Sequence, residues 1–210
     1  MRIGCSAFAR IADNSTDSPL YALTINRGKE LKGRLRLSPP GGALQAHPDA
    51  RQWLADEFGA HSFEKDNDLR LQVPDHQVSN FANWFSKQES RESTVLGEMY
   101  EEFVEEEGFW DESDFTRVEE EFIGFYCLRV KPKKRNGFQP KIRFIEVYNL
   151  YVPPMLMRKL REAAAVADGK RLFFVSSSDI NCREKTQSRP KITRTAGCLL
   201  HPRPQIVIPS

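Results

Sequence analysis

A chain of 210 residues, 40% of them hydrophobic, is long enough for one sizeable core and short for two, so a single domain carrying insertions is expected. The formal charge of +2 is the small difference between 31 basic and 29 acidic side chains, so the net value excludes little and the distribution has to be read instead. Cys5, Cys127, Cys182 and Cys198 have no CxxC spacing and no paired histidines, which argues against a zinc site and a disulfide framework. No run of about 18 apolar residues marks a membrane span, and the start MRIGCSAFARIAD lacks a signal-peptide pattern, so a cytoplasmic chain is expected.

Residues 3–11 (IGCSAFARI) and 20–26 (LYALTIN) are short, apolar and partly alternating. With the turn-prone ADNSTDSP between them, they predict two strands that pair. A third extended segment, RLRLS at 34–38, stops at Pro39-Pro40-Gly41-Gly42, where proline bars further ladder bonding and glycine permits unusual backbone angles. Pro48 to Phe58 suits a helix with proline near its first turn and Trp53, Leu54 and Phe58 inward, and DLRLQV at 68–73 is strand-like. Beyond Pro74, the spacings of Val78, Phe81, Trp84 and Phe85 predict a short amphipathic helix.

From about Ser93 to Glu107, the residues Leu96, Met99, Tyr100 and Phe103 form another helical stripe, which Gly108 is placed to end. Two longer strands, around 119–131 and 141–151, flank KPKKRNGFQP as an exposed hairpin connection. Pro154 to Ala167 reads as a helix closed by Asp168-Gly169, RLFFV at 171–175 as a buried strand, and HPRPQIVIPS as an extended tail. The alternation of strands and helices implies an α/β fold, a mixed sheet covered on both faces.

Between Glu98 and Glu121 lie twelve of the 29 acids against one base, Arg117, whereas 131–143 and 183–203 are almost purely basic. On the predicted helix, Glu98, Glu101, Glu102, Glu105 and Glu106 fall at i, i+3, i+4, i+7 and i+8, which puts five carboxylates on one face. They repel one another by a few tenths of a kcal/mol per pair, roughly, so the face is either simply solvated or balanced by a cation such as Mg²⁺ or Mn²⁺, which takes oxygen ligands. Gly41-Gly42, directly after a strand, is either a turn or a place where backbone amides approach a ligand.

Strand, Gly-Gly, then a helix with ExxEE is the order of the Nudix box, and the sequence resembles the Nudix superfamily. Within it, the resemblance is to the divergent SMODS-associated Nudix domain of bacterial antiphage defence. It rests on the two opening strands, LSPPGGAL at 37–44, DLRLQVP at 68–74, NWF at 83–85, RESTVLGEMYEEF at 91–103 and ITRTAGCLL at 192–200. The resemblance implies a Nudix-like α/β/α sandwich over residues 1–210, with an insertion at about 45–90 between the glycine pair and the glutamate helix. Two registers of the box compete. In the preferred one, Glu98, Glu101 and Glu102 are the metal-binding and catalytic glutamates and Gly97 stands in place of the arginine; in the other, Glu101 replaces that arginine and the string runs through Glu105 and Glu106 to Gly108-Phe109. Both lose the arginine that orients a catalytic glutamate in active Nudix hydrolases.

The expected function is therefore a sensor that binds a cyclic oligonucleotide or related phosphorylated signal through Gly41, Gly42, Arg36, Lys133 and Arg135. The alternatives are a Mg/Mn-dependent hydrolase of a nucleoside diphosphate-linked substrate and a protein-interaction domain that merely retains the fold. A sensor without an output motif would signal through an effector protein or a homo-oligomer. Lys131, Lys133, Lys134 and Arg135 otherwise read as a solvated hairpin, and Lys185, Arg189, Lys191 and Arg194 as a second basic patch. Ser176-Ser177-Ser178-Asp179 reads as a helix cap or turn, and the scattered His47, His61, His76 and His201 take no role.

Overall fold

The computed structural model describes residues 1–26, 35–64, 68–92, 94–130, 141–166, 171–183 and 189–208. Strand β1 (Arg2–Arg10) buries Ile3, Cys5, Ala7 and Ala9 on one face and Phe8 on the other. A strand apolar on both faces belongs inside a sheet. Strands β5 (Gly41–Ala43) and β6 (Arg70–Gln72) both line one edge of β1, antiparallel to its two halves. The other edge carries β8 (Lys141–Tyr151), parallel to β1 from Arg2↔Lys141 to Arg10↔Asn149, and β8 pairs in turn with β7 (Glu119–Val130). The predicted long hairpin is thus present, with a bulge between Phe122 and Gly124; its connection, with Lys131, Lys133, Lys134 and Arg135, lies outside the described residues.

A second sheet contains β2 (Ala12–Asp13), β3 (Leu20–Ile25), β4 (Arg36–Ser38), β9 (Leu172–Ser176) and β10 (Lys191–Ile192). The mixed strands and covering helices give the expected α/β class, with the strands divided between two sheets. The expected pairing of the first two strands is corrected: β8, β5 and β6 occupy both edges of β1, and only the chain just past its end reaches β3, through Ala22 N–H to Ile11 O at 3.0 Å and the β2–β3 ladder. Asp13 is fixed there by two 2.7 Å hydrogen bonds from Arg161 of helix α5 (Pro154–Ala165), which hold its carboxyl well below the usual range.

The larger core lies on the β1 face that carries Cys5 and Ala7. Helix α1 (Ala50–Phe58) contributes Leu54 and Phe58, and α2 (Val78–Ser86) contributes Val78, Phe81, Trp84 and Phe85, all four predicted positions. Trp53, expected inward, is 42% exposed and only edges onto Phe58 and Trp84, because one face of a nine-residue helix cannot hold Trp53 and Leu54 equally. The second core joins Phe8, Ile145 and Val147 to Leu23, Ile25, Leu37, Phe173 and Val175 between the sheets. Ser176 and Asp179 form a reciprocal capping box at α6 (Ser177–Cys182), as the serine run predicted.

Candidate functional site

The predicted glutamate helix is two structures in series. Helix α3 (Leu96–Tyr100) runs into a π-helical turn, Glu101–Glu106, closed by Glu107 N–H to Glu102 O at 3.1 Å. Its start is pinned from β7: Glu120 accepts from Val95 N–H at 3.1 Å and from the Thr94 hydroxyl at 2.7 Å, and Thr94 accepts from Leu96 N–H. Met99 and Phe103 are fully buried, and Phe103 packs on Phe109 and Trp110, with ring centroids 5.2 and 4.9 Å away. The apolar stripe therefore seats the helix, and helix α4 (Glu112–Phe115) follows it.

The wider π turn changes which glutamates point where, so the single face of five carboxylates predicted from an α-helical period is not formed. Glu98 and Glu102 are half-buried against β5, whereas Glu101, Glu105 and Glu106 are exposed. Glu102 Oε2 accepts from Gly41 N–H at 3.0 Å, and its carboxylate also bonds the Thr24 side chain of β3. The Glu98 carboxylate rests directly on Gly42, where any Cβ would clash with it. Gly41 has φ +114°, and a side chain there would meet the Ala7 carbonyl. The glycines thus admit two carboxylates and give one of them an amide.

The electrostatics of the pair are one-sided. Burial pushes the Glu98 carboxyl up to about 7, and its charged neighbours Glu101, Glu92, Glu102 and Asp68 push the same way. Burial also raises Glu102 to about 7, against the Thr24 and Gly41 hydrogen bonds and with help from Glu106 and Glu107. Among the described residues Glu98 has no hydrogen-bond or ion-pair partner. Glu92, raised by burial, accepts from Gln45 N–H at 3.3 Å. Glu107 is paired with Arg171 at 3.3 Å.

Sequence reasoning used Arg91-Glu92 only to choose the register of the box and did not single out Asp68 or Thr24. Glu92, Asp68 and Thr24 come from a loop, an isolated bridge and a second sheet, and no periodicity links them. Arg91 had no further role there. Arg91 is 2% exposed and ion-paired at 2.5 Å with Glu146 of β8, itself 0% exposed. The same guanidinium donates to Phe85 O and Glu92 O and lies 4.0 Å over the Phe85 ring. Gln88 and the Tyr148 hydroxyl complete the shell of Glu146. This core network ties the backbone at Glu92 to the sheet.

Arg36 is half-buried in β4, beside Lys191 of β10, and among the described residues forms no ion pair with the glutamates. Lys133 and Arg135 lie outside the described residues, as does Lys185; Arg189 is paired with Asp179 at 2.6 Å, and Lys191 and Arg194 are exposed. A cleft of about 630 Å³ opens elsewhere, lined by Arg10, Tyr21, Arg117, Asn149 and Tyr151 among others, and includes no residue of the glycine pair or the glutamate helix.

As a metal site, the cluster has the right donors: hard carboxylate oxygens, half-buried and, among the described residues, without a counter-charge. Among the described residues, however, no three His, Cys, Asp or Glu side chains converge on one metal position. Mg²⁺ commonly binds through one or two carboxylates, keeps waters and takes further oxygens from a phosphorylated ligand, so an ion on Glu98 and Glu102 would need both. Among the described residues no helix is long and apolar enough to cross a membrane.

Comparison with known proteins gives one assignment. Neither the curated proteins nor the solved structures contain a match. The family model of the SMODS-associated NUDIX domain matches residues 1–200, nearly the whole chain and both sides of the glycine–glutamate contact. On that match the chain belongs to the SMODS-associated NUDIX domain family.

Proposed function

We propose that the chain is one Nudix-like domain, with residues 45–90 or so inserted, that binds a nucleotide-derived, phosphorylated signal in a SMODS-associated defence system, a cyclic oligonucleotide being the leading class. The observation that carries this reading is the carboxylate pair Glu98 and Glu102 on Gly41 and Gly42, with no cation in contact among the described residues. Glu102 keeps two donors, Gly41 N–H and Thr24, but Glu98 has none among the described residues, and both carboxyls are pushed up to about 7. Mg²⁺ or Mn²⁺, once bound, supplies the positive charge that joins these carboxylates to ligand phosphates. Glu98 and Glu102 would hold the ion from the protein side and Glu101 from the rim. With Gly97 where the box has arginine, no cation from that position orients a glutamate for catalysis, which suits binding better than turnover.

A second reading, a metal-dependent hydrolase of a nucleoside diphosphate-linked substrate, is favoured by one observation: a carboxyl titrating near 7 is matched to general-base work at neutral pH. One experiment separates the two. Thermal shift is measured against nucleotides, linear dinucleotides and cyclic oligonucleotides, with and without Mg²⁺ or Mn²⁺, and every hit is recovered and analysed for cleavage. A metal-dependent rise in melting temperature with ligand recovered intact, lost in Glu98→Gln and Glu102→Gln, is expected for a sensor. Cleavage abolished by Glu102→Gln would establish the hydrolase, and a domain without response to any nucleotide would be neither.

A further inference from the structure

The face of the β6–β1–β8 ladder that carries Phe8 further along has, at the end where β1 begins, a different charge pattern. Register puts Arg2 directly opposite Lys141, and puts Gly4 between Arg70 on one side and Arg143 on the other. Four cations thus share one sheet face around a residue with no side chain. Lys141 lies over that gap: a Cβ on Gly4 would stand 3.3 Å from its Cε and 3.5 Å from its Nζ. Like charges on facing strands destabilise a sheet, and a face selected only for solubility would mix signs.

Two acids answer the four cations. Glu64 is bonded to Arg2, with Nε to Oε1 at 2.7 Å, and Asp68 is 3.4 Å from Arg70. Lys141 and Arg143, both half-buried, have no carboxylate in ion-pair contact among the described residues. Burial, then Arg143 and Arg2, lowers the Lys141 ammonium to about 8 despite the nearby Glu64. Arg143 is pushed down by burial and by Arg70 and Arg2. Each of these cations is therefore held in the company of others, at a cost that an anion in their midst would remove.

We propose that this face is a second, metal-independent site that grips phosphate groups between Arg143, Lys141 and Arg2, over the floor left by Gly4. Arg143 supplies a planar fork of donors suited to phosphate oxygens and Lys141 a point charge. The inference rests on no feature of the glutamate helix, so it stands or falls separately from the metal reading.

The test is calorimetric titration in EDTA with inorganic pyrophosphate and, separately, with a linear dinucleotide and a short single-stranded oligonucleotide. Saturable binding that weakens as salt rises is expected, together with a loss of at least about tenfold in affinity for Arg143→Gln, since a charge-assisted hydrogen bond is removed. Gly4→Val, checked for folding by circular dichroism, should displace Lys141 and weaken binding as well. Glu98→Gln and Glu102→Gln should leave it intact. Competition assigns the source: a dinucleotide that displaces pyrophosphate makes the site one for nucleotide phosphates, and pyrophosphate binding alone makes it one for free phosphate. No saturable binding by any of the three, binding unchanged in Arg143→Gln, or binding lost in Glu102→Gln would overturn the proposal.

Discussion

Glu146 and Glu98 are both taken out of water by the same fold, and the fold treats them in opposite ways. Around Glu146 it assembles Arg91, Gln88 and the Tyr148 hydroxyl, so that both oxygens are bonded and the charge is neutralised. Around Glu98 it assembles Glu92, Glu101, Glu102 and Asp68, with no donor among the described residues. Only a few residues separate Arg91 from Glu98 in the chain, so a cation was within reach of selection at the second place as it was at the first. A charge buried for structure is satisfied internally; on the function proposed above, a charge left in the company of its own sign takes its partner from outside.

The largest effect expected on this comparison is at the satisfied pair. Arg91→Met leaves Glu146 buried without its cation and should cost about 3–5 kcal/mol in denaturant unfolding. A loss under about 1 kcal/mol would mean that Gln88, Tyr148 and water carry Glu146 unaided, and the contrast with Glu98 would fail. Next comes the glycine pair. Gly41→Ala forces a side chain into φ +114° and against the Ala7 carbonyl, for a loss of about 1–3 kcal/mol. The nearest atoms to a Cβ in Gly42→Ala are those of the movable Glu98 carboxylate, so its main consequence should be a reduced Mg²⁺-dependent thermal shift.

At the unsatisfied group the sign reverses. The folded-state carboxyl of Glu98 titrates near 7 against 4.5 for an unperturbed glutamate, so between those values the folded chain binds more protons than the unfolded one. This group's contribution to stability therefore falls as pH rises from about 4.5 and reaches its full penalty above about 7. Glu98→Gln should raise stability at pH 8, by something on the order of 1 kcal/mol, and leave it nearly unchanged below pH 4.5. Mg²⁺ should likewise stabilise the unsubstituted chain more at pH 8 than at pH 6, where protons compete for the same oxygens. A variant less stable than its parent at pH 8 would show that Glu98 has an internal partner after all.

What could be read from residues alone follows the range of the interactions involved. The stripe Val78, Phe81, Trp84, Phe85 and the long hairpin are set by local periodicity, and both are present as predicted. The partner of β1 is set by competition among strands distant in sequence, and a plausible neighbour, 20–26, lost to 141–151 because burial on both faces demanded a central position. Spacing offered five glutamates and the Nudix resemblance narrowed them to Glu98, Glu101 and Glu102, of which Glu98 and Glu102 meet Gly42 and Gly41, whereas Thr24, Glu92 and Asp68 arrive by register and loop path. The π turn was not legible at all: nothing in EEFVEE distinguishes i→i+5 from i→i+4 bonding, and that choice sets where the residues beyond Glu102 fall.

The smallest expected effect is the one that sharpens the reading of that helix. If the catalytic string ran through Glu105 and Glu106, Glu105→Gln would weaken the metal response as strongly as Glu98→Gln does. The side chain of Glu105 is exposed, away from β5, while Glu98 sits on Gly42 and Glu102 on Gly41. Glu105→Gln should therefore change stability by less than about 0.5 kcal/mol, the usual range for a surface substitution, and leave the Mn²⁺-induced thermal shift unaltered. Comparison of Glu98→Gln, Glu102→Gln and Glu105→Gln in one Mn²⁺ titration makes the result independent of any ligand. Equal losses in all three would mean that the ion is held by diffuse acidity, and the contact between two glycines and two glutamates would then be packing rather than a site.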